Sequence, residues 1–181
     1  MEKKTDVSFA VIRYAVSCWL RYARQCPIVS FERGGVGHFW GHPDIFAVDK
    51  RRQTYDVEIK MSLSDFKADG HKEKFQPYAV GAPRPTFFYY ACRESLGEKI
   101  SPLLPPGAGL IVVNGFRESG QDGMEVRIAA KKFPGFEPKM ADLVSWVKDQ
   151  SGTLCGLAKQ IASSEKDHTV ESNEMVGRGI K

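Results

Sequence analysis

The stretch that decides the fold is PDIFAVDKRRQTYDVEIKMS, residues 43–62. It opens with an apolar run at 45–48 and closes with a run, 54–62, in which polar and apolar side chains alternate strictly. Such alternation is typical of a strand, and the charged residues between the two runs predict a hairpin turn. Glu58 and Lys60 are two residues apart, so we expect them to project from the same face of the second strand.

The sequence before this hairpin predicts one more strand and a helix. The β-rich run at 28–31 completes a three-stranded meander. From about Thr5 to Gln25 the apolar residues recur at helical spacing, while the polar ones follow a single stripe, which predicts a helix packed against the sheet. Pro27 closes that helix. The polar stripe consists of Asp6, Arg13, Ser17, Arg21 and Arg24.

The sequence after the hairpin predicts a helix and further strands. Ser62 and Asp65 resemble a capping box at the start of a polar helical stretch, 62–78, that is weakened at Gly70. PTFFYYAC (85–92) and GLIVVNG (109–115) predict two strands, and the four consecutive aromatics of the first predict cover on both faces. MEVRIAAKK (124–132) is a candidate edge strand, and PKMADLVSWVKDQ (138–150) predicts a closing helix. We therefore expect an α/β fold with a central mixed sheet of about five strands flanked by helices.

Length and composition bound the domain organisation and the partners. A chain of 181 residues with 42% hydrophobic content can bury a core, and we expect a single domain at 1–164 with a disordered tail at 165–181. The net charge of +4 permits a polyanionic partner without requiring one. The four cysteines, at 18, 26, 92 and 155, are too dispersed for a zinc ribbon or a disulfide framework. Arginines interrupt the apolar N-terminal stretch, so we expect a cytoplasmic protein without a membrane segment.

Three polar residues of the meander form a candidate catalytic centre. Hydrolysis of a phosphodiester needs charge neutralisation on the phosphate and a positioned water molecule. Asp44 and Glu58 offer the oxygen donors that a hard divalent cation, Mg²⁺ or Mn²⁺, prefers. Lys60, beside Glu58 on the same strand face, is suited to orient the water or to stabilise negative charge.

The pair Pro43-Asp44, followed after a hairpin by Glu58-Ile59-Lys60, resembles the signature of the PD-(D/E)XK nuclease superfamily. The stretch 43–62 is also similar to the equivalent part of archaeal Holliday-junction resolvases. EIKMSLSDFKADGHKEKF, with the later FFYYAC and LPPGAGLIVV, is similar to the MmcB-like branch of DNA-repair nucleases, which is also met in phage-like genes. The resemblance covers residues 27–115, a little under half the chain. It implies a restriction-endonuclease-like core ordered as helix, three-stranded meander, helix and strand.

This resemblance also implies roles for particular residues. Asp44 and Glu58 would be metal ligands, the backbone carbonyl of Ile59 a further ligand and Lys60 the catalytic lysine. Members of the family often add an acidic residue from the first helix, for which Asp6 and Glu2 are the candidates and Glu32 a substitute. Four residues of the next helix match the MmcB-like branch without an assigned role: Ser62, Asp65, Asp69 and Lys72.

Basic side chains around the motif are candidate phosphate contacts. The alternative is an ordinary solvated charged face. The candidates are Arg33, Lys50, Arg51 and Arg52 around the turns of the meander, and Lys67, Lys72 and Lys74 on the following helix.

Each of these motifs has a simpler interpretation. Glu58 and Lys60 could form a surface ion pair on a solvent-facing strand. Asp44 could be a turn residue after proline. His38 and His42 would have metal-ligand spacing only in a helix, and the glycines around them argue against one.

We expect from these patterns a Mg²⁺- or Mn²⁺-dependent DNA endonuclease that acts in DNA repair, recombination or phage-related DNA processing. One alternative is a catalytically inactive nucleic-acid-binding module with the same fold. Another is a nuclease subunit that acts only with a partner. DNA is the expected partner, and a homodimer would let each active site cut one strand.

Overall fold

The computed structural model describes residues 7–31, 43–69, 84–115, 123–134, 137–148 and 150–152. Contacts divide the chain into two compact units, Met1–Lys139 and Met140–Lys181. The domain boundary predicted at residue 164 and the predicted tail lie outside the described residues. Among the described residues, no helix has the length and apolar character needed to cross a bilayer.

Within its described residues, the first unit contains three α-helices and six strands. The helices are α1 (Phe9–Cys18), α2 (Leu63–Asp69) and α3 (Glu94–Ile100). A π-helical turn, Trp19–Ala23, extends α1, and a 3-10 turn, Ser101–Leu103, follows α3. The strands are β1 (Ile28–Phe31), β2 (Ile45–Val48), β3 (Thr54–Lys60), β4 (Phe87–Arg93), β5 (Gly109–Val113) and β6 (Met124–Ile128).

The strands form one mixed sheet in the order β1-β2-β3-β4-β5-β6. β1, β2 and β3 are an antiparallel meander, β3, β4 and β5 are parallel, and β6 returns antiparallel to β5. The α/β class and the mixed sheet are confirmed. The sheet has six strands where about five were expected, because the short charged run at 124–128 pairs with β5.

Helix α1 covers one face of the sheet. Ser8 caps it by accepting a hydrogen bond from the backbone N–H of Val11, at 3.4 Å. The buried face of the helix and of its π-helical extension packs on the odd-numbered residues of the central strands. Trp19 makes edge-to-face contacts with Tyr55 and Tyr89. The helix ends earlier than the predicted residue 25, and Gln25 takes the left-handed conformation (φ 54°) that turns the chain toward β1.

Helices α2 and α3 belong to a second core on the opposite face. This core contains the even-numbered residues of β4 and β5, which the sheet pleat directs away from α1. Phe66 of α2 packs edge to face on Tyr90, with ring centroids 4.9 Å apart. The aromatic strand β4 is therefore covered on both faces, as its sequence predicts. Only the 63–69 part of the helix predicted at 62–78 lies within the described residues.

In the second unit, residues 140–148 and 150–152 are helical, which confirms the predicted closing helix. The sequence pattern places Met140, Leu143, Val144 and Val147 on one side of this helix. Of these, Leu143 is half-buried and the other three are exposed, whereas Trp146 is buried.

Candidate functional site

Glu58 and Lys60 lie on the face of β3 that carries α2, and both side chains are buried. Their relative exposures are 3% and 2%. Strand β3 is buried at all seven positions because helices cover both faces of the sheet. The predicted alternation is correct, since Tyr55, Val57 and Ile59 join the core under α1. The interpretation of Glu58 and Lys60 as a solvent-facing surface pair is wrong, because their face is covered.

Asp44 precedes β2 and is hydrogen-bonded to β3. Its Oδ2 accepts a hydrogen bond from the backbone N–H of Ile59 at 2.7 Å. In the β2–β3 ladder Ile45 is opposite Val57, so the same register continued by one residue brings Asp44 opposite Glu58. Directly opposite residues of an antiparallel pair project to the same side of the sheet. Asp44 therefore lies beside the segment between Glu58 and Lys60. Its hydrogen bond to β3 shows that it is more than a turn residue.

The Lys60 ammonium is surrounded by carboxylates from β3 and α2. Its Nζ lies 2.5 Å from Asp69 Oδ2, 3.3 Å from Glu58 Oε2 and 3.8 Å from Asp65 Oδ1. Burial by itself would lower the pKa of Lys60, but the hydrogen bond to Asp69 and the negative charges of Glu58, Asp69 and Asp65 outweigh it. The net pKa is raised above the usual 10.5. Lys60 is therefore a cation at neutral pH, which suits it to charge stabilisation and not to proton abstraction.

Helix α2 is capped at its start and packs on the sheet through Phe66 and Asp69. Ser62 Oγ accepts from the backbone N–H of Asp65 at 3.1 Å, and Asp65 Oδ2 accepts from the backbone N–H of Met61 at 3.2 Å. This reciprocal cap confirms the predicted role of Ser62, but Asp65 accepts from Met61, one residue before the N-cap position that a capping box would use. Phe66 and Asp69, three residues apart, lie on one helical face and are both buried. Asp69 therefore points to the sheet, whereas Ser62 and Asp65 are exposed and cap the helix.

Two residues near the site were not anticipated as members of it. Asp56 shares the strand face of Glu58 and is 5% exposed. Tyr90 is directly opposite Glu58 across the parallel β3–β4 pair. Burial, with the negative charges of Asp69, Glu58 and Asp56, raises the pKa of the Tyr90 phenol, so it stays protonated. The strand alternation that identified Glu58 also marks Asp56, but Tyr90 depends on the register between two strands far apart in sequence.

The candidate ligand atoms at the C-terminal end of β3 are oxygens, which Mg²⁺ and Mn²⁺ prefer. The candidate set is the carboxylates of Asp44 and Glu58 with the carbonyl of Ile59. No group of three or more His, Cys, Asp or Glu side chains within the described ranges is arranged to hold a metal ion. The candidate set has only two such side chains, because its third ligand is a backbone carbonyl. Hard divalent cations commonly complete their coordination with water and substrate phosphate. The residues present therefore fit the expected cation in chemical type.

The predicted basic contacts are distributed over different parts of the fold. Lys67 is exposed on α2, the helix that carries Asp69. Lys50, Arg51 and Arg52 form the β2–β3 turn, at the start of β3, whereas Lys60 ends that strand. At about 3.3 Å per residue the two ends of β3 are roughly 20 Å apart. These turn residues therefore do not belong to the same cluster as Glu58 and Lys60.

The β2–β3 turn borders a cavity of about 350 Å³. Lys50 Nζ donates a hydrogen bond to Gln25 Oε1 at 2.7 Å beside it, and the Arg24 guanidinium lies over the Trp19 ring, 4.9 Å from its centroid. Arg52 is ion-paired with Glu137. The cavity is lined by Ala23, Arg24, Gln25, Asp49, Lys50, Arg51, Gln53, Tyr55 and Phe87.

Several predicted residues lie outside the described part of the chain. They include the three residues considered for the additional acid, one basic residue of the meander turns, two basic residues of the following helix and the two histidines. These are Glu2, Asp6, Glu32, Arg33, His38, His42, Lys72 and Lys74.

No protein-family model matches the chain, and no curated protein matches it. A solved structure, the SPO1766 protein of unknown function from Silicibacter pomeroyi, is similar to the chain with a TM-score of 0.52 and 18% sequence identity. The match covers 91% of this chain and 94% of that chain. At this identity the similarity concerns the fold alone.

Proposed function

We propose that the chain is a metal-dependent endonuclease that hydrolyses phosphodiester bonds in DNA. The observation that carries the proposal is the contact between Asp44 and the backbone N–H of Ile59 at 2.7 Å, which brings the Asp44 carboxylate to the segment between Glu58 and Lys60. Asp44, which precedes β2, is thus brought to the Glu58-Ile59-Lys60 segment at the C-terminal end of β3. The PD and E-x-K elements of the resemblance require this convergence.

The order of elements supports a restriction-endonuclease-like core. Within the described residues, a helix is followed by a three-stranded antiparallel meander, a second helix and a strand parallel to the third. This is the order that the resemblance to the PD-(D/E)XK superfamily implies. Strands β5 and β6 then extend the sheet beyond that core.

The burial of the charged residues is a second support. Removing an ion pair from water costs several kcal/mol per ion before attraction is counted, and buried ion pairs seldom add net stability. Glu58, Lys60 and Asp69 are each no more than 3% exposed. Apolar residues would stabilise the packing between β3 and α2 equally well, so the retained charges favour a chemical role.

Each residue has a distinct role in the proposed reaction. Asp44, Glu58 and the Ile59 carbonyl would hold the divalent cation, which supplies charge neutralisation on the scissile phosphate. Lys60 remains protonated and stabilises the negative charge that develops on the phosphate oxygens. The hydrogen bond from Ile59 to Asp44 fixes the orientation of one carboxylate before substrate arrives, which favours preorganised binding.

One observation favours the competing proposal of an inactive nucleic-acid-binding module or a partner-dependent subunit. The sequence of α1, FAVIRYAVSC, contains no acidic residue. The additional acid that relatives often take from the first helix is therefore not within Phe9–Cys18. Binding of DNA without hydrolysis under all metal conditions would support this competing proposal.

The test is incubation of the purified protein with plasmid, single-stranded and four-way-junction DNA in Mg²⁺, Mn²⁺ or EDTA. The Lys60→Met variant is purified in parallel, since methionine replaces the ammonium with an apolar side chain of similar length. We expect cleavage by the wild type that requires the metal and is lost in the variant. Cleavage that persists in EDTA or in Lys60→Met would contradict the proposal.

A further inference from the structure

Two carboxylates compete for the Lys60 ammonium. Asp69 Oδ2 lies 2.5 Å from Lys60 Nζ, and Glu58 Oε2 lies 3.3 Å from it. At equal screening the attraction varies inversely with distance, so the attraction to Asp69 is about a third stronger. Asp69 is therefore the principal counter-charge of Lys60, although the two residues belong to different elements.

Asp69 is held in place by the packing of α2. It is the last residue of that helix within the described residues and is 1% exposed. Phe66, one turn earlier on the same face, packs against Tyr90 of β4. The reciprocal cap at Ser62 and Asp65 fixes the other end of the helix. The position of the Asp69 carboxylate is thus set by the fold and not by Lys60 alone.

Under the proposed function, the Glu58 carboxylate has two binding partners. It is the predicted cation ligand, and it is also an ion-pair partner of Lys60 at 3.3 Å. If Glu58 alone balanced Lys60, engaging a cation would leave a buried ammonium without a counter-charge, which is strongly unfavourable. A second buried carboxylate removes this conflict.

We infer that Asp69 is a positioning residue that retains the Lys60 ammonium on the α2 side of the site and so leaves Glu58 available to a divalent cation. The inference rests on the proposed function. In the Asp69→Asn variant, the amide oxygen still accepts a hydrogen bond but the charge is lost. Glu58 then becomes the nearest carboxylate to Lys60 within the described residues, and the cation must displace Lys60 from it.

The contact between Lys60 and Asp69 is tested without metal or substrate. The ¹⁵N signal of the Lys60 Nζ group is identified by its loss in Lys60→Met. We expect this signal to move in Asp69→Asn and to keep its position in Asp65→Asn. Asp65→Asn is the matched control, because it also removes one carboxylate charge near Lys60. The Asp65 carboxylate lies 3.8 Å from Lys60 Nζ, and its side chain is 45% exposed. An unchanged Lys60 signal in Asp69→Asn would overturn the inference.

The consequence for Glu58 is tested by calorimetric titration with Mn²⁺ in a double-mutant cycle. We expect Asp69→Asn to weaken Mn²⁺ binding by about 10- to 100-fold, the range found for residues that orient metal ligands. Lys60→Met should then restore more affinity in the Asp69→Asn background than it adds to the wild type, because it removes the competitor for Glu58.

The outcomes separate this inference from the proposed function. Equal Mn²⁺ affinity in wild type and Asp69→Asn, or an equal effect of Lys60→Met in both backgrounds, overturns the positioning role while the metal-dependent function stands. If the wild type itself binds no Mn²⁺, the proposed function falls and the role of Asp69 falls with it.

Discussion

Lys60 Nζ lies 2.5 Å from Asp69 Oδ2, so a carboxylate of α2 pairs with the ammonium at the end of β3. This ion pair joins the strand of the E-x-K motif to the helix that follows it. Both side chains are almost completely excluded from solvent. The candidate site and the packing of α2 on the sheet therefore depend on the same contact.

Replacing Asp69 with alanine should destabilise the fold, because it leaves Lys60 buried with a partial set of counter-charges. We expect the free energy of unfolding to fall by about 3–5 kcal/mol, measured by urea denaturation followed by circular dichroism. Asp65→Asn is the control and should cost no more than about 1 kcal/mol, since its partner lies at 3.8 Å and its side chain is partly exposed. Equal losses of unfolding free energy in both variants would show that the buried Asp69 contact stabilises the fold no more than the partly exposed Asp65 contact.

The raised pKa of Lys60 predicts a loss of stability at high pH. Burial lowers that pKa, but the Asp69 hydrogen bond and the surrounding carboxylates raise it by more, so that it lies above 10.5. The native state then binds the proton more tightly than the unfolded chain. The stabilisation that this proton gives the native state is complete below the pKa of Lys60 in the unfolded chain. It is lost as the pH rises through the pKa of Lys60 in the folded protein.

Urea midpoints between pH 9 and 12 measure this effect. Tyr55, Cys26 and Cys92 have pKa values raised by burial to about 12, so they titrate near the upper end of the same range. Subtracting the profile of Lys60→Met isolates the contribution of the lysine. A difference between the two profiles that stays constant from pH 9 to 12 would contradict the assigned direction.

Asp44→Asn should weaken cation binding while keeping the hydrogen bond to β3. The asparagine oxygen can still accept from the Ile59 N–H, so the urea midpoint in EDTA should stay close to that of the wild type. Loss of one ligand charge should weaken Mn²⁺ binding by on the order of tenfold or more, measured by calorimetric titration. Unchanged affinity would remove Asp44 from the ligand set.

Two thiols should be unreactive in the native protein. Cys26 and Cys92 are 1% and 0% exposed, and burial raises the pKa of each to about 12. A thiol reagent at pH 8 should therefore modify Cys18, which is partly exposed, before either of them. Peptide mass spectrometry before and after addition of urea measures the order. Rapid modification of Cys92 in the folded state would show that α3 opens from the sheet.

The strands could be predicted from the sequence because their signals are local. Alternation along β3 assigned Glu58 and Lys60 to one face, and the apolar run of Ile45–Val48 located the partner strand. The sixth strand has a weaker local signal, since residues 124–128 carry two charges and form an edge of the sheet. Its pairing with β5 depends on the tertiary fold and not on local propensity.

The contacts of the site were harder to predict. Asp69 follows the buried Phe66 by three residues, which indicates a common helical face but not the direction in which α2 crosses β3. That direction decides whether Asp69 meets Lys60. The burial of the E-x-K pair likewise depends on α2, because an alternating strand alone is equally compatible with a solvent-facing polar side.

The most direct test of the account compares wild type with Glu58→Gln, purified in parallel, in a Mn²⁺-dependent cleavage time course on four-way-junction and plasmid DNA. Glutamine keeps the size of the side chain and removes the charge. The account predicts that wild type cleaves, that EDTA stops the reaction, and that Glu58→Gln binds the DNA without cleaving it. Equal cleavage by both proteins, or none by the wild type in any divalent cation, would contradict it.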